Sequence, residues 1–203
     1  MFEIPLGATP LSEDDIVGLI PNYLSTHGDL NLVEAENITK ARTKFWQQAS
    51  RYRRINFLLD EATVRAIHKE MFGNVWKWAG TYRTRATNIG VRPEQIREMH
   101  YALLLNTGEQ LKHCIKDDER ACDELALRFH WNLVYIHLFP NGNGRHARLM
   151  ADLLAQALGR PPFTWGLHNL AEEGEARSAY LAALRKADKT SGDVEDLLML
   201  ARG

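Results

Sequence analysis

Residues 137–148, HLFPNGNGRHAR, combine a side chain that could accept a proton with side chains that could bind an anion. The imidazole of His137 ordinarily has a pKa near neutrality, which suits a general base. The two glycines permit backbone angles that let a ligand approach the main chain closely. Arg145 and Arg148 lie three residues apart, so on a helix both can face one ligand, and each guanidinium can grip phosphate oxygens with two donors. The stretch therefore predicts a site for a diphosphate or triphosphate beside a base.

Two amphipathic helices are predicted to hold this stretch between them. Before it, apolar residues recur every three or four positions, at Cys122, Leu125, Phe129, Leu133 and Ile136. After it, the same period resumes at Ala147, Met150, Ala151, Leu154 and Ala157. The second helix opens at about Gly144, so its free N–H groups would point into the loop and favour an anion. The alternative is an ordinary Gly/Asn turn with solvated arginines, but this combination of residues is much less common in turns.

Helical periodicity dominates the rest of the chain. A first amphipathic helix is indicated from Glu34, and Asp60 can cap a second one that ends at Gly73. Residues 75–91 are aromatic, β-branched and broken by glycines, which indicates a short hairpin or an extended loop. Further helices are predicted after Pro93 and at about 13–20, 170–187 and 193–201. The pattern as a whole predicts one mostly helical domain with one small β element and a helical N-terminal arm.

Composition excludes several classes of protein. The chain has 203 residues, 45% hydrophobic and 25% charged, which is ordinary for a soluble globular protein. Its formal net charge of −1 gives no global field toward nucleic acid or anionic lipid. We find no run of 18 apolar residues and no secretory signal, and the two cysteines form no CxxC pair. We therefore expect a cytoplasmic protein that binds neither nucleic acid nor membrane.

Three neighbouring side chains leave alternatives open. His130 lies seven residues before His137, but zinc needs further ligands that no close spacing supplies. His146 is expected to point outward or to stack on a base edge. Asp152 follows Arg148 by four residues, so it is expected either to hold that guanidinium or to form a plain surface ion pair.

The stretch at 137–148 closely resembles the signature of the Fic (Fido) family, H-x-F-x-[D/E]-G-N-G-R-x-x-R. The segment LLDEATVRAIHKEMFGNVWKWAGTYRT resembles the helix of that family and its W-A-G-x-[YF]-R segment, and TRATNIGV resembles its β-hairpin flap. The N-terminal LGATPLSEDD and LNLVEAENI resemble the subgroup called mobile mystery protein B, which is found with mobile elements. The resemblance implies a mainly α helical-bundle domain at 55–203 with a small β-hairpin flap. Residues 1–54 would then be a helical N-terminal arm that carries an inhibitory helix.

The resemblance also implies an activity, the transfer of AMP from ATP to a Ser, Thr or Tyr hydroxyl of a target protein. His137 would take the hydroxyl proton, and Phe139 would anchor the loop in the core. Six residues would bind the nucleotide: Asn141, Gly142, Asn143, Gly144, Arg145 and Arg148. The flap that aligns the target would comprise Thr84, Arg85, Ala86, Thr87, Asn88 and Ile89. The target is unknown, and self-modification would be compatible with this chemistry.

One position departs from the family pattern. The acidic residue that holds Mg²⁺ in the family is Asn141 here. Mg²⁺ prefers carboxylates, and an uncharged amide oxygen is a weaker ligand, so the metal would be held mostly by the phosphates of ATP and by water. This departure leaves two alternatives open: a non-catalytic nucleotide-binding regulatory module of a mobile element, or transfer of a different phosphate-containing group.

The resemblance further implies an inhibitory residue. Many relatives carry [S/T]-x-x-x-E-[G/N] on a helix against the loop, and the glutamate pairs with the second arginine of the signature. Here Glu36 precedes Asn37, although Leu32 occupies the Ser/Thr position. We therefore expect Glu36 to contact Arg148 and to compete with the γ-phosphate. The alternative is that Glu36 favours the dipole of its own helix.

Overall fold

The computed structural model describes residues 18–21, 27–52, 55–114, 118–165 and 174–203. The side chains of residues 27–29 and 50–52 lie outside this description. The α-helices in the described part are α1 (His27–Tyr52), α2 (Glu61–Phe72), α3 (Ile96–His113), α4 (Glu119–Ile136), α5 (Asn143–Ala157), α6 (Glu175–Lys189) and α7 (Glu195–Arg202). Short 3₁₀ turns at Ile55–Leu59 and Pro93–Gln95 precede α2 and α3. The prediction of a mainly helical fold is confirmed.

Helices α4 and α5 form the centre of the bundle. All five apolar residues predicted to face inward on α4 are buried, and so are four of the five on α5, with Ala157 half-buried. The many alanines of α5 let neighbouring helices approach closely, and α1, α2 and α4 all pack against it. The α5 helix ends before Gly159, whose φ of +84° suits glycine. The loop between α4 and α5 is therefore fixed by two of the most buried helices.

The α1 and α2 helices cover one side of this centre. Asp60 accepts a hydrogen bond of 2.9 Å from the N–H of Thr63, which confirms the predicted cap of α2. Ala41, Phe45 and Ala49 of α1 are buried in the same hydrophobic core as the later helices. The predicted boundary at residue 54 therefore does not separate two cores within the described residues.

The predicted β-hairpin at the flap is not confirmed. Residues 82–92 run as bends and irregular backbone, and the described residues show no strand pairing there. Within the described residues, the only isolated β-bridge joins Leu19 to Trp76. This bridge also shows that residues 18–20 are not helical, because Ile20 N–H donates to Val75 O at 2.8 Å. The rest of the helix predicted at 13–20 lies mostly outside the described residues.

The C-terminal helices match their predictions, although α6 is described only from residue 175. Asp123 on α4 accepts hydrogen bonds from the guanidinium groups of Arg160 and Arg202, which ties α7 to α4. Cys114 and Cys122 bring their sulfur atoms within 3.4 Å of each other. Within the described ranges, no helix combines the length and the apolar character needed to cross a membrane.

Candidate active site

The loop after α4 begins with an unusual backbone conformation. His137 is the C-cap of α4, with φ +58° and ψ +66°, and its N–H still donates to Leu133 O at 3.1 Å. A residue other than glycine in this left-handed region costs of order 1–3 kcal/mol and persists only where its surroundings impose it. This left-handed conformation changes the direction of the chain at the end of α4, and the His137 side chain lies where the loop begins.

His137 is a buried and neutral imidazole. Its side chain lies beneath neighbouring backbone, and burial lowers its pKa to about 4. The Nδ1 atom lies 3.3 Å from Val134 O and donates to it in the matching tautomer, which leaves the basic lone pair on Nε2. A neutral imidazole with its lone pair on Nε2 is the state that a general base requires at pH 7.

The amide of Asn143 holds the loop in shape. Its Oδ1 accepts from Phe139 N–H at 2.9 Å, and its Nδ2 donates to Phe139 O at 2.7 Å. Both polar atoms of this amide therefore bind the loop itself, and the second N–H of Nδ2 is the donor that the predicted phosphate contact would use. Phe139 is fully buried, as expected, and its ring stacks on His68 at 3.7 Å between ring centres.

His68 supports the same loop from α2, and the sequence pattern did not single it out. Gly80 N–H donates to its Nδ1 at 3.0 Å, so its Nε2 carries the proton and donates to Asn141 O at 3.1 Å. Burial lowers the pKa of His68 well below 6.5, so the ring stays neutral. Gly142 has φ +77°, and a Cβ there would lie 2.7 Å from the Phe72 ring. This glycine is therefore required both by its backbone angle and by the lack of space.

The two arginines of the loop leave from the first turns of α5 on one face. Arg145 Nη1 lies 2.6 Å from Glu34 Oε2, and its guanidinium lies over the Phe72 ring. The guanidinium of Arg148 lies 5.4 Å from the ring centre of Tyr180. Both side chains are half-buried beside the N-terminus of α5, whose first-turn N–H groups have no acceptors within the helix. Two guanidinium groups and a helix N-terminus together form a cradle for an anion.

The glutamate that faces this cradle is Glu34, and the predicted contact of Glu36 with Arg148 is wrong. The Glu36 side chain is 67% exposed and pairs with Lys40 at 2.7 Å, one turn along α1. A hydrogen bond and the charge of Lys40 lower the pKa of Glu36. Residues two apart on an α-helix point about 200° apart, so Glu36 faces solvent when Glu34 faces the loop. Glu34 is buried and also accepts from Trp76 Nε1 at 2.6 Å.

Two other expectations near the loop, those for His146 and Asp152, need correction. His146 does not point outward but is buried, with Nε2 3.0 Å from Val64 O. Asp152 neither holds Arg148 nor forms a surface ion pair. It is buried, where it accepts from Phe163 N–H and Trp165 Nε1, both at 3.1 Å, and burial raises its pKa to about 6. His130 Nε2 lies 2.9 Å from the Tyr180 hydroxyl.

The segment expected to align a target lies beside His137. Residues 84–89 are exposed except for Thr87, which is half-buried, and the Thr87 hydroxyl donates to Ile89 O at 2.6 Å. Gly90 follows directly, and a Cβ built on it would overlap the Cβ of His137. The far end of the segment thus reaches the imidazole, whereas the six residues before it remain accessible.

Comparison with known proteins agrees with this arrangement. The family model described as the Fic/DOC family matches residues 58–155, which run from the turn before α2 through the loop to α5. Residues 58–155 are therefore a Fic/DOC domain by this match. The matched range contains His137, the whole cradle stretch and the segment at 84–89.

Two proteins with Fic names are similar to this chain, one in sequence and one in structure. A protein adenylyltransferase Fic of Nematostella vectensis is 32% identical over 104 residues, which are 47% of this chain and 22% of that protein. The structure of Caenorhabditis elegans Fic-1 superimposes with a TM-score of 0.63 at 24% identity, over 91% of this chain and 51% of that one. The chain therefore spans less than a quarter of the length of the curated relative, while nearly all of it shares the fold.

A third comparison concerns a bacterial Fic domain. The N-terminal Fic domain of a Bartonella quintana protein, solved with bound ADP, superimposes with a TM-score of 0.65 at 18% identity. The alignment covers 89% of this chain and 86% of that one.

Proposed function

We propose that this chain is a protein adenylyltransferase that transfers AMP from ATP to a Ser, Thr or Tyr hydroxyl of a target protein. The observation that carries the proposal is the juxtaposition of a neutral His137 with the anion cradle of α5. The relative in Nematostella vectensis is named a protein adenylyltransferase, and the Bartonella quintana Fic domain holds ADP. The first name supports this reaction class for the chain, and the second supports a nucleotide as the ligand of the cradle.

The proposed reaction is a nucleotidyl transfer. The target hydroxyl attacks the α-phosphorus of ATP, a new O–P bond forms, the bond between the α- and β-phosphates breaks, and pyrophosphate leaves. His137 Nε2 accepts the hydroxyl proton. Main-chain N–H groups at residues 142–144 and the Arg145 and Arg148 guanidinium groups bind the phosphates. Such preorganised donors supply most of the stabilisation in phosphoryl-type transfers.

The side chains at the loop offer a poor site for a protein-held Mg²⁺. Asn141 Oδ1 is uncharged and already accepts from Gly142 N–H at 2.6 Å, which leaves it one lone pair for a metal. The described residues contain no group of three or more His, Cys, Asp or Glu side chains that could hold a metal ion. Mg²⁺ is therefore expected to enter the site on the phosphates of ATP and not on a side chain of the loop.

The target protein meets the exposed segment at 84–89 in this proposal. That segment ends at Gly90, against His137, so a hydroxyl presented along it approaches the imidazole. A second copy of the chain is an eligible target, and self-modification is therefore included. Nucleic acid and membrane are not part of the proposed reaction.

Asn141 favours a second candidate, a nucleotide-binding regulatory module without transfer activity. An amide in place of a carboxylate weakens any metal-assisted step, and the Glu34–Arg145 pair occupies part of the cradle. A third candidate retains transfer but uses a different phosphate-containing donor. All three candidates bind a phosphate-containing ligand in the same cradle. They differ in whether a group is transferred and in which group it is.

Intact-mass spectrometry separates these candidates. The full chain is incubated with Mg²⁺ and ATP, alone and with a mixture of soluble proteins. The proposal expects a gain of one AMP on a hydroxyl side chain, which is absent with His137→Ala. A different adduct supports the third candidate, and ATP binding without any adduct supports the second.

A further inference from the structure

The strongest unassigned feature near the site is the buried guanidinium of Arg83. Arg83 directly precedes the segment at 84–89 in the sequence. Its side chain is 4% exposed, and its hydrogen-bond acceptors are all main-chain carbonyl oxygens. A buried arginine that binds only carbonyl groups acts as a clamp between the segments that carry them.

Two of those carbonyls belong to the end of α4. Arg83 Nε donates to His137 O at 2.6 Å, and Nη2 donates to Ile136 O at 3.3 Å. The backbone N–H of Arg83 adds a third contact, to Leu138 O at 3.0 Å. A cation at a helix C-terminus satisfies carbonyl groups that have no partner within the helix. Arg83 thus fixes the residues on both sides of the left-handed turn at His137.

The other two carbonyls bracket the exposed segment. Arg83 Nη1 donates to Arg85 O at 2.9 Å, and Nη2 donates to Val91 O. One planar group therefore joins both ends of residues 85–91 to the base of the His137 turn. Extended backbone without strand pairing needs such partners, because its N–H and C=O groups lack a ladder.

Gly90 shows how closely the two segments meet. Its φ is +99°, and an added Cβ would overlap the Cβ of His137 and lie 2.9 Å from Arg83 Nη2. The backbone at residue 90 thus lies directly on the imidazole-bearing residue.

We propose that Arg83 is a positioning residue, whose guanidinium holds the His137 turn and the docking segment at 84–91 in one fixed arrangement. This inference rests on the proposed transfer function but concerns a residue that does not touch substrate. Arg83 thereby fixes the position of the segment on which the target hydroxyl docks relative to His137, the base that deprotonates this hydroxyl. The nucleotide cradle at 142–148 is held by Asn143 and His68, so its affinity for ATP does not depend on Arg83.

Arg83→Lys is the decisive variant, because it keeps the charge and loses the planar fork. We expect the rate of AMP transfer at saturating ATP to fall about ten- to a hundredfold, since a misplacement of about 1 Å can cost that much. The Kd for ATP, measured by calorimetry, is expected to stay within a few-fold. The pKa of the His137 imidazole, measured by NMR titration, is expected to rise from about 4 toward 6.5, because the segment lifts and water reaches the ring. A change in electrostatic repulsion between residue 83 and His137 would not explain such a rise in the pKa, because lysine keeps the positive charge.

Arg202→Lys is the matched control. Arg202 also donates to two carbonyl oxygens, those of Pro161 and Pro162, and it binds Asp123. Asp123 lies fourteen residues before His137 on α4, which is about 20 Å away. Loss of this second fork is expected to lower stability without moving the transfer rate or the His137 titration.

A second variant covers the case in which Arg83→Lys does not fold. Gly90→Ala inserts a methyl group between the segment and His137, and it is expected to lower transfer and raise the pKa of His137 in the same way. Gly108→Ala on α3 is its control, because its nearest neighbour is Leu59 Cδ1 at an ordinary 3.6 Å.

Two results would overturn the inference. In one, Arg83→Lys and Gly90→Ala match their controls in both transfer rate and His137 titration. In the other, Arg83→Lys weakens ATP binding as much as it slows transfer, which would indicate a general loss of the fold. If the wild-type chain transfers nothing, the proposed function fails, while the His137 titration still decides the role of Arg83.

Discussion

Glu34 Oε2 lies 2.6 Å from Nη1 of Arg145, so an acidic side chain of α1 occupies one of the two cationic groups of the anion cradle. The Glu34 side chain is only 4% exposed, whereas the Arg145 side chain is 28% exposed. Trp76 Nε1 fixes the other carboxylate oxygen. A guanidinium that binds a carboxylate with good geometry cannot bind a phosphate equally well at the same time. The structure therefore couples the position of α1 to the affinity of the cradle.

Glu34→Gln is expected to raise the affinity for ATP several-fold. Glutamine can still accept from Trp76 but no longer competes as an anion for Arg145. Calorimetric titration with ATP measures the gain, and urea unfolding should show a loss of about 1–3 kcal/mol from the broken ion pair. Glu36→Gln is the matched control on the same helix, and it should change neither quantity because its partner Lys40 is at the surface. Unchanged ATP affinity in Glu34→Gln would show that Arg145 does not bind the nucleotide.

His137→Ala is expected to reduce transfer about 10²- to 10⁴-fold while ATP affinity stays within a few-fold, because a general base contributes to rate and not to binding. The pKa of about 4 keeps the imidazole neutral at ordinary pH. The transfer rate should therefore fall only when the pH drops well below 6.5, through protonation of the base. A rate profile that falls with an apparent pKa at or above 6.5 would assign the proton transfer to another group or to another conformation of the turn.

Asn141→Asp is expected to increase transfer or to lower the Mg²⁺ concentration that it requires. Aspartate retains the acceptor for Gly142 N–H and adds a charged oxygen with little change in volume. Transfer rates are compared over a titration of Mg²⁺ at fixed ATP. If neither the rate nor the Mg²⁺ requirement changes, the ion does not approach this side chain.

The free energy of unfolding is expected to fall as the pH drops below about 6.5. Burial lowers the pKa of His130 and His146 to about 3 and that of His100 to about 4, so the unfolded state binds more protons in this range. Each such histidine contributes a loss of about 1.4 kcal/mol per pH unit between 6.5 and its folded pKa. Asp152 acts in the opposite direction between pH 3.8 and about 6, because burial raises its pKa.

Urea unfolding at pH 7.5 and pH 5 checks this prediction. His100→Gln removes one titrating group while keeping a partner for the Tyr82 hydroxyl, which lies 2.7 Å from Nδ1. Its loss of stability between the two pH values should be smaller than that of the wild type. An equal loss in both proteins would mean that His100 does not titrate on unfolding.

The periodic helices and the loop between α4 and α5 could be predicted because their signals are local. Apolar spacing fixes which face of α4 and α5 is buried, and a dozen residues carry the cradle. The assignment of Glu36 failed because it relied on a motif and not on helix geometry. Glu34 lies four residues after Leu30 and seven before Ala41, both buried, so a charged residue on the apolar stripe was the available signal.

The roles of His68 and Arg83 could not be read from local patterns. His68 binds residues 12 and 73 positions away, and Arg83 binds carbonyls more than 50 positions away as well as nearby ones. A main-chain carbonyl has no residue identity, so its partner leaves no mark on the sequence around it. The predicted flap hairpin is not confirmed, and in the described structure Arg83 donates to Arg85 O and Val91 O in this segment.

The proposed transfer of AMP is tested with ATP that carries a radioactive label at either the α- or the γ-phosphate. The full chain and its Glu34→Gln variant are incubated with Mg²⁺, each form of ATP and a mixture of soluble proteins, with His137→Ala alongside. We expect label from the α-phosphate to become covalently bound to protein, label from the γ-phosphate to remain unbound, and His137→Ala to abolish the signal. Label from the γ-phosphate, or α-label that persists in His137→Ala, would contradict the proposed transfer, as would a complete lack of α-label in both active forms.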